Sequence, residues 1–452
     1  MKEGVLGWIL GPPGTGKSVG AFAFAASVDR VEWTIMWVQF SRDGIPSISI
    51  FEGDYKYTAP CSLEMLLGLI SLRAQTGVKN SLLILDGYLR SEVNHQHVLQ
   101  QATGWRNMDK DRRRLVVASS LSSRGKFSEG EDIANSVQEH IVPSWIFQEY
   151  LAALQIPELA ESVYRFLDTT PGKPLQEAIE DKFYYAGGCA RYMFEYSSEV
   201  VKSRIEDAVR TLPIQLSEAF FMMSWRAGTA INLLVGLLPG KGGWFEFFVS
   251  SYAASCIAER VTPPALKSML SALRDDVSGS GAGSMFETML CSQLRSGGLP
   301  LRFRNGTSVL LSPSSIRKIN LKSSSSIEVE DEEWMKPESP INRGYGLVYI
   351  NRPARFVRFI QSTRSDLHRL NLTPCKEFID KLTDCEIRIV EFCFVVNYDN
   401  LKRFRVLNTE NDPVKGRGAL GPYQIASDKF EMWQSGSEEM QVTVTSTDDI
   451  FI

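Results

Sequence analysis

The sequence is poor in the residues from which most metal and redox centres are built. Only four histidines occur among 452 residues, and the seven cysteines (Cys61, Cys189, Cys256, Cys291, Cys375, Cys385, Cys393) are scattered and odd in number. No close cysteine pair has zinc-ligand spacing, so they read as reduced thiols of an intracellular protein rather than a disulfide framework. A run of 18 apolar residues is also missing, so no membrane span is expected. Met1-Lys2-Glu3-Gly4 has none of the basic, apolar and small-residue regions of a signal peptide. Excess charge of one sign is lacking too: 49 basic and 53 acidic residues leave a net charge of −4. Any nucleic-acid site must therefore come from local clustering, not from the overall field. No Lys/Arg run reads as an import signal. What remains is a globular composition, 44% apolar and 23% charged, long enough for two or three domains.

Against that background one stretch is specific. Gly11-Pro12-Pro13-Gly14-Thr15-Gly16-Lys17-Ser18 fits G-x-x-x-x-G-K-[ST], the phosphate-cradling loop. A short apolar strand precedes it (5–10) and an Ala-rich helix continues from Val19. In that order, the residues from Gly11 through Val19 surround a nucleotide's phosphates, with backbone N–H groups donated by all of them but the two prolines. Lys17 is expected to reach the β/γ oxygens, and Ser18 to place its hydroxyl on Mg²⁺. The plainer reading, a Gly/Pro turn before a core helix, leaves the Lys-Ser register unexplained.

The second half of such a site is an acid at the end of a buried strand. Residues 81–87, Ser-Leu-Leu-Ile-Leu-Asp-Gly, supply it in Asp86, a second Mg²⁺ residue. Gly87 stands where an Asp-Glu pair would put its glutamate. Glu92, His95 and Asp109 are candidates to orient an attacking water, with nothing to select among them. A further strand, 115–118, ends in Ser119 and Ser120. A polar residue there senses the γ-phosphate in ATPases of the additional-strand type, and a solvated turn is the alternative. Arg112, Arg113, Arg114 and Arg124 are candidate phosphate arginines, against a solvated strand approach. Residues 140–145 are expected as a fifth strand, and 62–75 as an amphipathic helix capped by Ser62. Strands alternating with helices over 1–145 predict an α/β parallel sheet with helices on both faces.

Residues 146–276 read as mostly helical. Within them, Lys182-Phe-Tyr-Tyr-Ala-Gly-Gly-Cys-Ala-Arg191 has the small residues and the arginine that a helical lid over phosphates needs. A break between two core helices is the alternative. The Gly/Ser stretch 278–284 marks a boundary, and 285–452 reads as a smaller α/β domain. It holds a helix at 285–294, strands at 299–303 and 308–311, and a polar loop over 312–340. Strands at 345–350 and 356–363, a helix at 373–382 and a strand at 389–396 come next. Between Arg343 and Arg369 six arginines (343, 352, 355, 358, 364, 369) face one acid, Asp366, with Tyr349, Phe356 and Phe359 interleaved. That is a candidate DNA-binding patch; the alternative is solvated arginines along an edge strand.

Together the P-loop, residues 33–40, Asp86-Gly87-Tyr88, 113–120, Pro143-Ser144-Trp145 and above all 182–194 resemble the Crinkler effectors of oomycetes and fungi. In that family a P-loop NTPase domain precedes a restriction-endonuclease-like domain. The resemblance implies ATP and Mg²⁺ as cofactors, Arg191 as the lid arginine and Ser119 or Ser120 as the γ-phosphate sensor. It implies a switch coupled to a nuclease-like, nucleic-acid-binding module, with secretion and a host nucleus as the setting. The family's N-terminal translocation header has no counterpart ahead of Gly4. In the nuclease half, Glu287 matches the helix glutamate and Gln361-Ser362-Thr363 the third-strand element. The strand aspartate is expected near Gly346, and no acid stands there. One carboxylate and one amide hold Mg²⁺ poorly. The alternative is therefore a weak NTPase acting as an interaction scaffold with a degenerate nuclease domain, a homo-oligomer among its candidate assemblies.

Overall fold

In the computed structural model the residues described are 6–41, 45–73, 79–124, 129–167, 173–212, 233–240, 243–261, 280–303, 306–321, 324–337, 344–363, 367–370, 372–396, 401–407, 423–424 and 439–446. The chain divides into two units, Met1–Leu212 with Met222–Ser250, and Pro213–Phe221 with Ser251–Ile452.

The first unit is built on seven strands: β1 (Leu6–Gly11), β2 (Trp33–Gln39), β3 (Ser47–Glu52), β4 (Tyr55–Pro60), β5 (Asn80–Tyr88), β6 (Arg113–Ser120) and β7 (Val137–Ile141). They lie in the order β4-β3-β2-β5-β6-β1-β7. The five strands from β2 to β7 in that order are parallel, while β3 and β4 extend the sheet antiparallel. The wholly parallel sheet expected from sequence is thus a mixed one. The missed hairpin carries its own signal: Ser47 to Ile50 alternate polar and apolar, and Gly53 turns with φ of 54°. Strand β7 also lies a few residues ahead of the expected 140–145.

Burial explains the layers. Helix α1 (Lys17–Ser27) covers one face through Ala21 and Ala25, against Ile35, Trp37, Leu82, Ile84 and Val116. Helices α2 (Leu63–Arg73) and α3 (Val93–Asn107) cover the other, where Leu66, Ile70, Val98, Ala102 and Trp105 meet Trp8, Leu83, Leu85, Leu115 and Val117. These strands read as continuous apolar runs because both faces are covered. Ser62 caps α2, its hydroxyl accepting from Met65 N at 3.2 Å.

The described residues of 146–167 and 173–212 are mostly helical, as expected. They include α4 (Leu175–Ala186), α5 (Ala190–Phe194) and α6 (Ser198–Thr211). The mostly helical reading fails further on, where β8 (Val235–Gly240) and β9 (Gly243–Phe248) pair as a hairpin. The aromatic run Trp244-Phe245-Glu246-Phe247-Phe248 favours a strand over a helix there.

The described residues of the second unit begin with α7 (Ser251–Ala258) and α8 (Ser280–Ser296), so the Gly/Ser stretch expected as a boundary already belongs to a helix from Ser280. Its nine-stranded sheet comprises β10 (Leu299–Phe303), β11 (Ser308–Leu311), β12 (Ile316–Ile319), β13 (Glu332–Pro337), β14 (Leu347–Asn351), β15 (Phe356–Thr363), β16 (Ile389–Val396), β17 (Tyr423–Gln424) and β18 (Glu439–Ser446). Strands β12 and β13 fall inside 312–340, where the polar composition predicts a loop; Trp334 and Met335 are buried there. Strands β14 and β15 are antiparallel, β15 and β16 parallel, and β16 and β18 parallel. Helix α9 (Thr373–Asp380) joins β15 to β16 and packs Phe378 on Phe359 and Tyr345. No helix among the described residues is long and apolar enough to cross a membrane.

Candidate nucleotide site

Strand β1 delivers the chain to the carboxyl ends of the parallel strands, and glycines shape the loop beyond it. Gly14 and Gly16 adopt φ of 75° and 95°, a region open to glycine at little cost. Pro12 O accepts from Thr15 Oγ1 at 3.0 Å and from Lys17 Nζ at 2.7 Å. Helix α1 starts at Lys17 with Val19 exposed beside it.

Ser18 Oγ donates to Asp86 Oδ1 at 2.7 Å, joining residues 68 positions apart. This is the pairing a Mg²⁺ site requires, one hydroxyl and one carboxylate on adjacent elements. Asp86 is buried, and that burial raises its pKa; the Ser18 hydrogen bond and the Lys17 charge pull the other way. Lys17 is pushed down to about 8, first by burial and then by Arg191. An anion placed beside this half-buried ammonium would favour its charged form again. With Lys17, Ser18, Asp86 and the N–H groups of the loop converging, the donor set fits a nucleotide phosphate with Mg²⁺.

The end of β6 separates the two serines. Gly11 pairs with Ser120 and Leu10 with Ser119. Ser119 is buried, and its hydroxyl donates to Tyr88 O at 2.7 Å. It turns to the α2/α3 face. Ser120 shares Val116's face, that of α1, and its hydroxyl lies 3.0 Å from Ser123 Oγ. The γ-phosphate sensor position therefore fits Ser120 better than Ser119.

Of the water-orienting candidates, Asp109 sits before the amino end of β6, paired with Arg112 at 3.1 Å. The phosphate loop lies at the other end of that strand, roughly 20 Å away at the usual rise per residue. His95 is nearer: its ring stacks on Phe40 at 3.9 Å, and Phe40 N donates to Asp86 O at 2.9 Å. Its Nδ1 accepts from Leu89 N at 3.0 Å, and burial lowers its pKa, so the ring is neutral near pH 7. Glu92 is exposed at the start of α3.

The candidate arginines behave differently. Arg113 and Arg114 are buried, donating to Trp105 O and Lys110 O. Arg124 pairs with Asp132 and Glu139 over the Trp8 ring. These are structural. Arg191 is not: its N–H donates to Gly14 O at 3.3 Å, and its exposed guanidinium meets only Glu195, at 3.3 Å, among the ion pairs of the described residues. A Cβ on Gly14 would lie 2.3 Å from Cys189 Sγ and 3.0 Å from Arg191 Cβ. The block 182–194 is thus seated on the P-loop itself.

Trp145 carries no role in the sequence reading beyond family resemblance, yet its Nε1 donates to Thr15 O at 3.2 Å. Its ring stacks on Tyr150 and meets Phe194 edge-on. An aromatic just after the last parallel strand is the signal that could have found it.

In the second unit the candidate residues do not converge. Glu287 pairs with Lys336 at 3.1 Å. A Cβ on Gly346 would fall 2.4 Å from Glu287 Oε2, so the glutamate occupies the space a strand acid would need. Lys336 alternates with Met335, which shares a core cluster with Phe359, whereas Gln361 alternates back onto Phe359's side. Glu287 and Gln361 therefore lie on opposite faces of the sheet. No group of three His, Cys, Asp or Glu residues that could hold a metal exists among the described residues. The basic patch is partly neutralised as well: Arg358 pairs with Glu391 at 2.6 Å and Arg355 with Glu386 at 3.1 Å. Arg343 and Arg364 lie outside the described residues.

No protein-family model and no curated protein matches the chain. Among solved structures its similarities are distant. ORC1 of Aeropyrum pernix, solved with DNA, is 14% identical over 69% of this chain and 84% of its own, with a TM-score of 0.24. The FIGL-1 AAA domain, solved with ADP, is 14% identical over 50% and 68%, with a TM-score of 0.25. Cdc6p of Pyrobaculum aerophilum is 11% identical over 57% and 88%, with a TM-score of 0.23. Likeness of this size carries nothing over to the chain, whose site is read from its own residues.

Proposed function

We propose that the protein is an ATP- and Mg²⁺-binding P-loop NTPase switch of the Crinkler type, with the second unit serving as its binding module. The observation that carries this reading is the 2.7 Å bond from Ser18 to Asp86, beside a half-buried Lys17. Bound Mg²⁺ would supply charge neutralisation at the phosphates. Ser18 and Asp86 would hold it, Lys17 would meet the terminal phosphate oxygens, and Arg191 would reach them from the lid. His95 would orient a water, and Ser120 at the end of β6 would sense the γ-phosphate. The lack of an acid after Asp86 favours slow turnover, as a switch requires.

For the second unit we propose binding of a nucleic acid or protein without cleavage. The support is that Glu287 is paired with Lys336 and set apart from Gln361. Steady-state ATP turnover and Mg²⁺-dependent DNA cleavage test both halves. Slow turnover lost in Asp86→Asn, with no cleavage, is expected. Turnover equal in the two proteins would favour an interaction scaffold instead, and cleavage lost in Glu287→Ala would favour a nuclease.

A further inference from the structure

The P-loop is tied to one of the points where the chain leaves the first unit, after Ser250, and the ties run through a turn that glycine makes possible. On one route, Gly14 O accepts from Arg191 N, and Pro13 O accepts from Cys189 Sγ at 3.4 Å. Just upstream, Gly188 N donates to Val249 O at 2.8 Å. A Cβ on Gly187, whose φ is 49°, would lie 1.8 Å from that same Val249 O. The Tyr150 hydroxyl holds the turn from behind, donating to Gly187 O at 2.9 Å.

On the second route, Thr15 O accepts from Trp145 Nε1, and Trp145 N donates to Gly188 O at 3.0 Å. The neighbouring Ser144 is bonded to the β8–β9 hairpin in both directions: its N–H donates to Leu237 O at 2.8 Å, and its Oγ accepts from Leu237 N at 3.0 Å. Val249 closes that hairpin by donating to Leu234 O at 2.8 Å. Both routes meet at Gly188 and Val249. Val249 and Ser250 are buried and end the first unit; Ser251, the next residue, opens α7 of the second.

We infer that the 187–188 turn and Val249-Ser250 form a nucleotide-sensing joint, through which phosphate occupancy at the P-loop sets the order of the chain entering the second unit. The inference rests on the proposed nucleotide site. Phosphates settling on the loop reorient the Gly14 and Thr15 peptides, and each of those carbonyls holds one route. With no Cβ at 187 or 188, the turn lies directly on Val249 and has no side chain to absorb a shift. A set of bonds with two arrangements, biased by a ligand at one end, is what coupling between sites requires.

Hydrogen exchange on the full chain, with and without a non-hydrolysable ATP analogue and Mg²⁺, tests the joint; a fluorescent analogue measures binding separately. Amides of 249–258 should exchange about fivefold more slowly with nucleotide, the size of a modest change in local opening. Tyr150→Phe keeps the ring packing and drops the bond to Gly187 O. It should bind nucleotide as the wild type does yet lose most of that protection. Gly187→Ala is the harsher variant and is secondary, since it can disturb folding. Normal binding with unchanged exchange at 249–258 overturns the joint and leaves the nucleotide site standing. Full protection retained in Tyr150→Phe overturns the route through Gly187. Absence of binding in the wild type overturns both the site and the joint.

Discussion

The candidate sites of the two units treat their polar residues in opposite ways. In the first, Lys17, Ser18 and Asp86 are drawn together at the carboxyl ends of parallel strands, where the first turn of a helix leaves N–H groups without intrahelical partners. Lys17 has no carboxylate among its hydrogen-bond acceptors; its ammonium rests on the Pro12 carbonyl. In the second, acids and bases are consumed by one another. Glu391 accepts from Arg358 at 2.6 Å and from Thr443 at 2.6 Å, and Glu287 accepts from Lys336. A site keeps a charge poised for a ligand, whereas a scaffold pairs it off. That difference separates a place where chemistry can occur from one where charge serves folding and specificity.

The contrast can be broken from either side. The largest effect is expected from Arg358→Ala, which strands the buried Glu391 carboxylate and should cost about 3–5 kcal/mol of stability in denaturant unfolding. Nucleotide affinity should not change. Gly14→Ala comes next: its φ of 75° and the 2.3 Å approach to Cys189 should cost about 1–3 kcal/mol and also weaken nucleotide binding.

A pH series then isolates the part played by Lys17. In the free protein burial holds it at about 8, and a bound phosphate raises that value again. The charged form therefore contributes fully to binding below about pH 8, and the contribution is lost as pH rises toward the bound value. Affinity should be flat from pH 6 to 7 and fall up to about tenfold per unit above 8. The smallest effect is Glu287→Gln, about 1 kcal/mol or less from a partly exposed pair. A large loss of Mg²⁺-dependent activity in that variant would return the second unit to the class of nucleases.

The legible parts of the chain are those whose signal is local in sequence. The P-loop motif, the apolar strand ending at Asp86 and the Gly-Gly-Cys-Ala-Arg block each span a few residues, and the bounds of β15 and β16 follow from alternation and burial alone. Features that depend on partners far along the chain escape. Ser119 and Ser120 differ only in which face of β6 they take, and a single position reverses that face. The basic count over 343–369 misses Glu386 and Glu391 because they lie on or before the next strand. The hairpins at 47–60 and 235–248 are missed because short apolar runs suit a strand or a buried helix equally until their pairing is known.

Calorimetric titration of Mg²⁺-ATP into the full chain and into Lys17→Ala decides whether the P-loop is the nucleotide site. The wild type should bind, and the variant should bind at least about a hundredfold more weakly, since it loses a charge-assisted contact in a buried site. Equal affinity in the two proteins would contradict the assignment of the P-loop as the nucleotide site.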